Sequence, residues 1–214
     1  MKLCFLGVAL AVLVLFASPA RADDLADEAD LQFTLGAEAY QKGEFRGALE
    51  HFLASNRLVP NRNVLYNIAR TYEQLKQFPE AYRYYTQALD GEKDAAARAK
   101  IEAALAQLGK SVAVLRVESE PPGATLYVDR KDLGARGEAP RTLGLAPGRY
   151  RVIAELAGYE PAEETVDGIK VGEERRIRLK LVPILGVAVV DGTPGATLHI
   201  DDPNGATRCV VPCR

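Results

Sequence analysis

Hydrophobic residues between positions 33 and 89 recur every three or four residues, which is the spacing of an amphipathic helix. The pattern is interrupted at four points: Lys42-Gly43, Val59-Pro60, Lys76-Gln77 and Asp90-Gly91. Pro60 has no amide hydrogen and disfavours helical geometry at the residue before it, so it marks a firm helix end. The pattern therefore predicts four amphipathic helices, arranged as two hairpins with tight turns.

The two predicted hairpins resemble each other in sequence. Phe45 and Ala48 of the first correspond to Phe78 and Ala81 of the second at the same offset along the chain, and such self-similarity is typical of repeat proteins. The stretch 30–90 resembles two tetratricopeptide repeats (TPRs), and Ser55 departs from that family's pattern by replacing a small alanine. The positions that carry the resemblance are Leu35-Gly36, Phe45, Ala48, Phe52, Pro60, Leu65, Ile68-Ala69, Tyr72, Phe78, Ala81, Tyr85 and Ala88.

An alanine-rich segment over 94–108 predicts a fifth helix, which Gly109 ends. Because it has no partner helix, we expect it to cover the exposed face of the second repeat. These elements define a predicted TPR-like domain over 23–110. Two repeats and a cap are close to the minimum for a stable array, so a homodimer is a hypothesis to test.

From Ser111 onward, apolar and polar residues alternate as they do in strands with one solvated face. Glycines and prolines mark the turns between these segments. The pattern predicts a small β-sandwich or barrel-like module, and hence an α+β fold class in separate domains, with an α-solenoid followed by an all-β module. The strands are predicted over 112–117, 125–128, 149–156 and 175–181.

The β-rich region carries a specific series of motifs. They read Glu120-Pro121-Pro122-Gly123-Ala124, Leu126-Tyr127-Val128-Asp129, Leu145-Ala146-Pro147-Gly148-Arg149-Tyr150 and Ala157-Gly158-Tyr159. In this order they resemble the PEGA domain, with one proline inserted into the turn that gives the family its name. The resemblance implies a PEGA-like β domain over 111–182.

The last part of the chain repeats this opening. Pro194 to Asp201 corresponds position by position to Pro122 to Asp129, and both segments contain Pro-Gly-Ala-Thr-Leu. We therefore predict that 183–214 is the start of a second, truncated PEGA-like repeat. Since so few strands cannot close a β core, we expect either that the sequence is a fragment of a longer protein or that a partner completes the module.

The segment 1–22 has the form of a secretory signal peptide. Lys2 precedes an apolar run from Leu3 to Phe16, and small residues lead to a predicted cleavage site between Ala22 and Asp23. The alternative is an uncleaved anchor, but the run is shorter than the roughly 20 residues that span a bilayer. Together with the resemblances, the segment predicts export to the periplasm or cell envelope of a bacterium.

Cleavage would remove Cys4 and leave Cys209 and Cys213. An oxidising compartment allows these two cysteines to form a disulfide, and free thiols are the alternative. A metal site built from both cysteines and His199 is the weaker hypothesis, because tetrahedral sites usually contain more closely spaced ligand pairs. We predict no bound metal and no cofactor.

Charge and composition argue against two classes of function. The formal net charge is −2, from 27 basic and 29 acidic residues, so the chain offers no broad basic face for nucleic acid. The sequence contains two histidines and has no P-loop, dinucleotide fingerprint or nucleophile elbow. We expect a protein that is not an enzyme and does not bind nucleic acid.

The TPR resemblance implies a ligand groove lined by the first helix of each hairpin. Tyrosine and arginine, which often dominate interface energetics, are among its residues. The alternative is that Tyr40 and Tyr66 pack between the hairpins and that Arg70 is solvated. The groove candidates are Phe33, Tyr40, Asn63, Tyr66, Asn67, Arg70, Glu73 and Gln74.

Three functional hypotheses follow. The first is an exported scaffold that binds a peptide or protein in the groove and uses its PEGA-like modules as spacers or envelope contacts. The second is a structural protein of the cell envelope or surface layer. The third is an accessory amino-terminal region of a larger enzyme or signalling protein.

Overall fold

The structure is a computed structural model that describes residues 20–186, 190, 192–199 and 209–210, with side chains from residue 24 onward. The amino-terminal part is helical and the part that follows is rich in strands, which confirms the predicted fold class. The helices are α1 (Ala20–Gln41), α2 (Phe45–Leu58), α3 (Arg62–Gln74), α4 (Phe78–Leu89) and α5 (Ala95–Leu108).

Local sequence explains where two of the helices begin. Asn61 precedes α3, and its side chain accepts a hydrogen bond from the Asn63 amide at 2.8 Å. Asp94 precedes α5 and accepts from the Ala97 amide at 2.7 Å. Each cap satisfies an amide that the helix leaves without an internal partner.

The first hairpin is held by close packing of α1 on α2. Phe52 in α2 is 1% exposed, and a Cβ atom at Gly36 in α1 would lie 2.7 Å from its ring. Glycine at residue 36 therefore allows the two helices to approach closely. The same apolar cluster contains Ala48 and Ile68, which extends it to α3.

The second apolar cluster links α3, α4 and α5. It includes Tyr85, Ile101 and Leu108, and it continues beyond α5 to Val112 and Val114. Helix α5 thus covers the second hairpin with the face that carries Ile101 and Leu108. Four of these five side chains are less than 4% exposed, so the cluster is a true core.

The strand-rich region forms two three-stranded sheets, in the orders β3-β1-β6 and β2-β4-β5. Strand β2 pairs antiparallel with β4, with Thr125 opposite Glu155. Strands β3 and β5 were not predicted, because β3 is short and β5 has few apolar residues. The strands are β1 (Ala113–Glu120), β2 (Thr125–Val128), β3 (Arg141–Leu145), β4 (Gly148–Glu155), β5 (Ala162–Ile169) and β6 (Glu174–Lys180).

The chain divides into two compact units. The first unit contains the helices together with residues 112–115, 142–148 and 169–175. The second unit contains residues 116–141 and 149–168 and the chain from Arg176 onward. The unit that contains the helices therefore also includes the beginning of β1 and most of β3.

Two short strands follow the second sheet, β7 (Thr197–Leu198) and β8 (Cys209–Val210), and they pair antiparallel. Thr197 lies opposite Val210. An isolated antiparallel bridge joins Thr125 to Glu138 at the corresponding positions of the PEGA-like opening. The internal repeat of the sequence is therefore also present in the backbone, because the Thr197–Val210 pair corresponds to the Thr125–Glu138 pair.

Candidate protein-binding surface

The eight groove candidates lie on α1 and α3, the first helices of the two hairpins. Helix α1 carries Phe33 and Tyr40, and α3 carries the other six. Packing of α3 against the first hairpin brings the helices into one cluster, in which Val64 and Ile68 are buried. The candidates differ in how much of each side chain is available to a ligand.

Arg70 and Tyr40 connect the two helices on this surface. The Arg70 Cζ atom lies 5.0 Å from the centroid of the Tyr40 ring, in cation–π geometry. Tyr40 is in turn fixed by an edge-to-face contact with Phe45, with ring centroids 5.3 Å apart. Arg70 is exposed, and within the described residues its guanidinium donates to no acceptor. Its orientation is therefore set while its donors remain available.

Tyr66 and Glu73 both contact Tyr85, which belongs to the second apolar cluster. The ring of Tyr66 packs edge-to-face on Tyr85 at 5.5 Å. The Tyr85 hydroxyl donates to Glu73 Oε2 at 3.1 Å. Burial, and then the nearby Glu73 carboxylate, raise the pKa of Tyr85 well above its ordinary value. Tyr66 and Glu73 thus have structural partners in addition to any role at the surface.

The remaining candidates on α3 are polar. The Asn67 side chain donates to the Asn63 carbonyl at 2.8 Å, and the Asn67 carbonyl accepts from the Thr71 hydroxyl at 2.7 Å. The side-chain amide of Asn63 has no partner among the described residues. Gln74 is exposed at the last residue of α3.

A cavity of about 200 Å³ lies beside these residues, where α1 meets the end of α2 and the start of α3. Phe33 and Asn63 line it, and so do Asp30, Ser55 and Asn61, which sequence reasoning did not identify as site residues. The signal that pointed to it is Ser55, the serine that stands where the repeat pattern has alanine. Ala88 occupies the corresponding position in the second repeat.

The other sequence-based predictions lie near or outside the limits of the described structure. The predicted cleavage site between Ala22 and Asp23 falls within α1, and the side chains of both residues are not described. Cys209 is disulfide-bonded, whereas Cys4 and Cys213 lie outside the described residues, so the Cys209–Cys213 pair remains a prediction. His199 Nε2 lies 3.2 Å from Thr197 Oγ1. Within the described chain, no three metal-binding side chains cluster together.

The exposed charges of the β region are largely paired. Arg178 Nη2 lies 2.6 Å from Glu118 Oε2, and this hydrogen bond lowers the pKa of Glu118. Across the second sheet, Arg149 pairs with Asp167 at 2.9 Å. Such pairing leaves little unbalanced charge to attract a charged ligand to this module.

Comparison with known families finds a match in the β region of the chain. Residues 112–184 match the family model of the PEGA domain, a module that typically occurs in extracellular or periplasmic proteins. The match confirms the resemblance found in the sequence over nearly the same residues. A search of curated proteins found no match to the chain. In the part of the chain that the structure describes, no helix is both long and apolar enough to cross a membrane.

Proposed function

We propose that this protein is a non-enzymatic, exported scaffold of the bacterial periplasm or cell envelope. In this proposal the helices form two TPR-like hairpins that hold a peptide or protein segment on the surface of α1 and α3. The PEGA domain acts as a spacer or an envelope contact. The protein requires no cofactor and binds no nucleic acid.

The observation that carries the proposal is the geometry of Arg70. Its guanidinium is exposed, and stacking on Tyr40 holds it in place. A guanidinium fork matches carboxylates, and it can donate to backbone carbonyls as well. An arginine positioned in this way loses little side-chain freedom on binding, which favours affinity. Asn63 supplies a further amide that can pair with an extended peptide backbone.

The PEGA domain supports the proposed division of roles. Its exposed charges form cross-strand pairs such as Arg151 with Glu163 at 3.5 Å, so they are satisfied within the domain. A domain whose charges are paired internally is better suited to act as a spacer, or to make contacts that do not depend on charge, than to recognise a charged ligand.

A peptide-display selection against the full chain tests the proposal. Random short peptides that bind are synthesised, and their affinities are measured by calorimetry. We expect Arg70→Ala to weaken binding about tenfold or more, as truncation of an interface arginine often does. The matched control is Arg46→Ala, because Arg46 is an exposed arginine on α2 rather than on the proposed surface.

The result also decides between the hypotheses. If no peptide binds, or if Arg70→Ala and Arg46→Ala behave alike, the scaffold proposal is wrong. A structural envelope role, with the helices used only for assembly, then becomes the better explanation. Circular dichroism of each variant establishes that the helices are intact.

A further inference from the structure

The cavity beside α1 combines an apolar wall with unpaired polar groups. Phe33 and Val64 line it on the apolar side. Its volume of about 200 Å³ is smaller than the roughly 300–1,000 Å³ of typical small-molecule pockets. The size suits one long side chain rather than a whole ligand.

Ser55 provides a polar group in the lining of the cavity. The residue is 2% exposed and lines the cavity. In the described structure its hydroxyl has no hydrogen-bond partner. The hydroxyl can therefore bond to a ligand group that enters the cavity, which the alanine at the equivalent position 88 could not do.

Asp30 gives the cavity its charge. Its carboxylate forms no ion pair within the described chain, and α1 carries five acidic and no basic residues over 23–30. The carboxyl end of α2 and the amino end of α3 both reach the cavity. The partial negative charge at the end of α2 and the partial positive charge at the start of α3 offset each other there. The Asp30 carboxylate therefore determines the preference for a cation.

We propose that this cavity binds the side chain of a lysine or arginine in the partner segment. The apolar stem packs on Phe33 and Val64, and the charged end donates to the Asp30 carboxylate. The Ser55 hydroxyl and the Asn63 amide oxygen accept from the same group. This inference rests on the proposed function, since it assigns a subsite to the segment that the helices hold.

Peptides selected against the full chain provide the test. We expect the binders to share a lysine or arginine. Replacing that lysine with norleucine, which keeps the stem and removes the charge, should weaken binding about tenfold or more, because a charge-assisted hydrogen bond is lost. In Asp30→Asn the same replacement should have little effect, since the partner charge is already gone.

Asp27→Asn is the matched control, because Asp27 is an exposed aspartate on the same helix that does not line the cavity. It should retain the preference for lysine over norleucine. The inference is overturned if binders need no basic residue, or if Asp30→Asn keeps the full preference while Arg70→Ala still weakens binding. A complete lack of binders would instead overturn the proposed function, and this subsite with it.

Discussion

The ring of Tyr82 in α4 lies directly against the backbone of Gly144 in β3, so closely that a Cβ atom at residue 144 would be 2.4 Å from Tyr82 Cγ. Both residues belong to the compact unit that contains the helices. Tyr82 is 7% exposed. This contact makes the side-chain volume at residue 144 a determinant of helical-core stability.

Substitution Gly144→Ala should therefore destabilise the protein. The added methyl group must displace the base of a buried ring, and overpacking of this kind typically costs about 1–3 kcal/mol. Urea unfolding followed by circular dichroism measures the loss. Gly186→Ala is the control, since no atom lies within 4 Å of a Cβ placed there. Equal stability of the two variants would contradict the described packing.

The hydroxyls of two buried residues should respond differently to removal. Thr71 is fully buried and its hydroxyl donates to the Asn67 carbonyl at 2.7 Å, so Thr71→Val should cost about 1 kcal/mol. Ser55 has no such bond in the described structure, so Ser55→Ala should leave the free energy of unfolding unchanged or raise it slightly. Chemical denaturation of both variants provides the comparison. A loss in Ser55→Ala as large as that in Thr71→Val would show that its hydroxyl has a partner.

The Glu118–Arg178 pair predicts a measurable shift in acid titration. The hydrogen bond from Arg178 lowers the pKa of Glu118, so the pair stabilises the folded state above the ordinary carboxyl pKa. That contribution is lost as the pH falls through the lowered pKa. In Arg178→Gln, NMR titration should show the pKa of Glu118 returning towards its ordinary value. Arg176→Gln should have a smaller effect, because Arg176 Nε lies 3.9 Å from Glu118 Oε1.

Tyr85 predicts a loss of stability in alkali. Burial raises its pKa above the ordinary value of 10.0, so the folded state resists ionisation while the unfolded chain ionises. Stability is therefore complete below pH 10 and falls as the pH rises beyond it. In Tyr85→Phe this part of the pH dependence should disappear, at the cost of the hydrogen bond to Glu73. Stability curves of both proteins between pH 8 and pH 11, measured with urea, test the expectation. Curves that fall in parallel above pH 10 would argue against it.

The helices could be predicted closely because their signals are local. The limits of α2 and α4 agree with the prediction, since Pro60 and the Lys76-Gln77 and Asp90-Gly91 breaks interrupt a regular apolar spacing. Strand β5 could not be predicted in the same way. Only Val166 and Ile169 in it are buried, so it lacks the apolar alternation that marks a strand in the sequence, and its place is set by pairing with β4.

The candidate site, like the fold, could be predicted from the sequence only in part. The repeat pattern placed Tyr40 and Arg70 on first helices, but it could not show that one stacks on the other. It marked Ser55 as unusual without revealing the cavity that the residue lines. Cavities form from segments that are far apart in the chain, and neither composition nor periodicity records their shape.

The sequence by itself determined the helical segments, four of the six strands in the two three-stranded sheets and the PEGA resemblance of the β region, because apolar periodicity, turn residues and motif order are properties of short stretches. Only the tertiary structure decided that Val112 and Val114 join the helical core, that Tyr82 requires glycine at residue 144, and that Asp30 and Ser55 share a cavity. The physical reason is that close packing is set by long-range contacts, whose geometry a linear pattern does not contain.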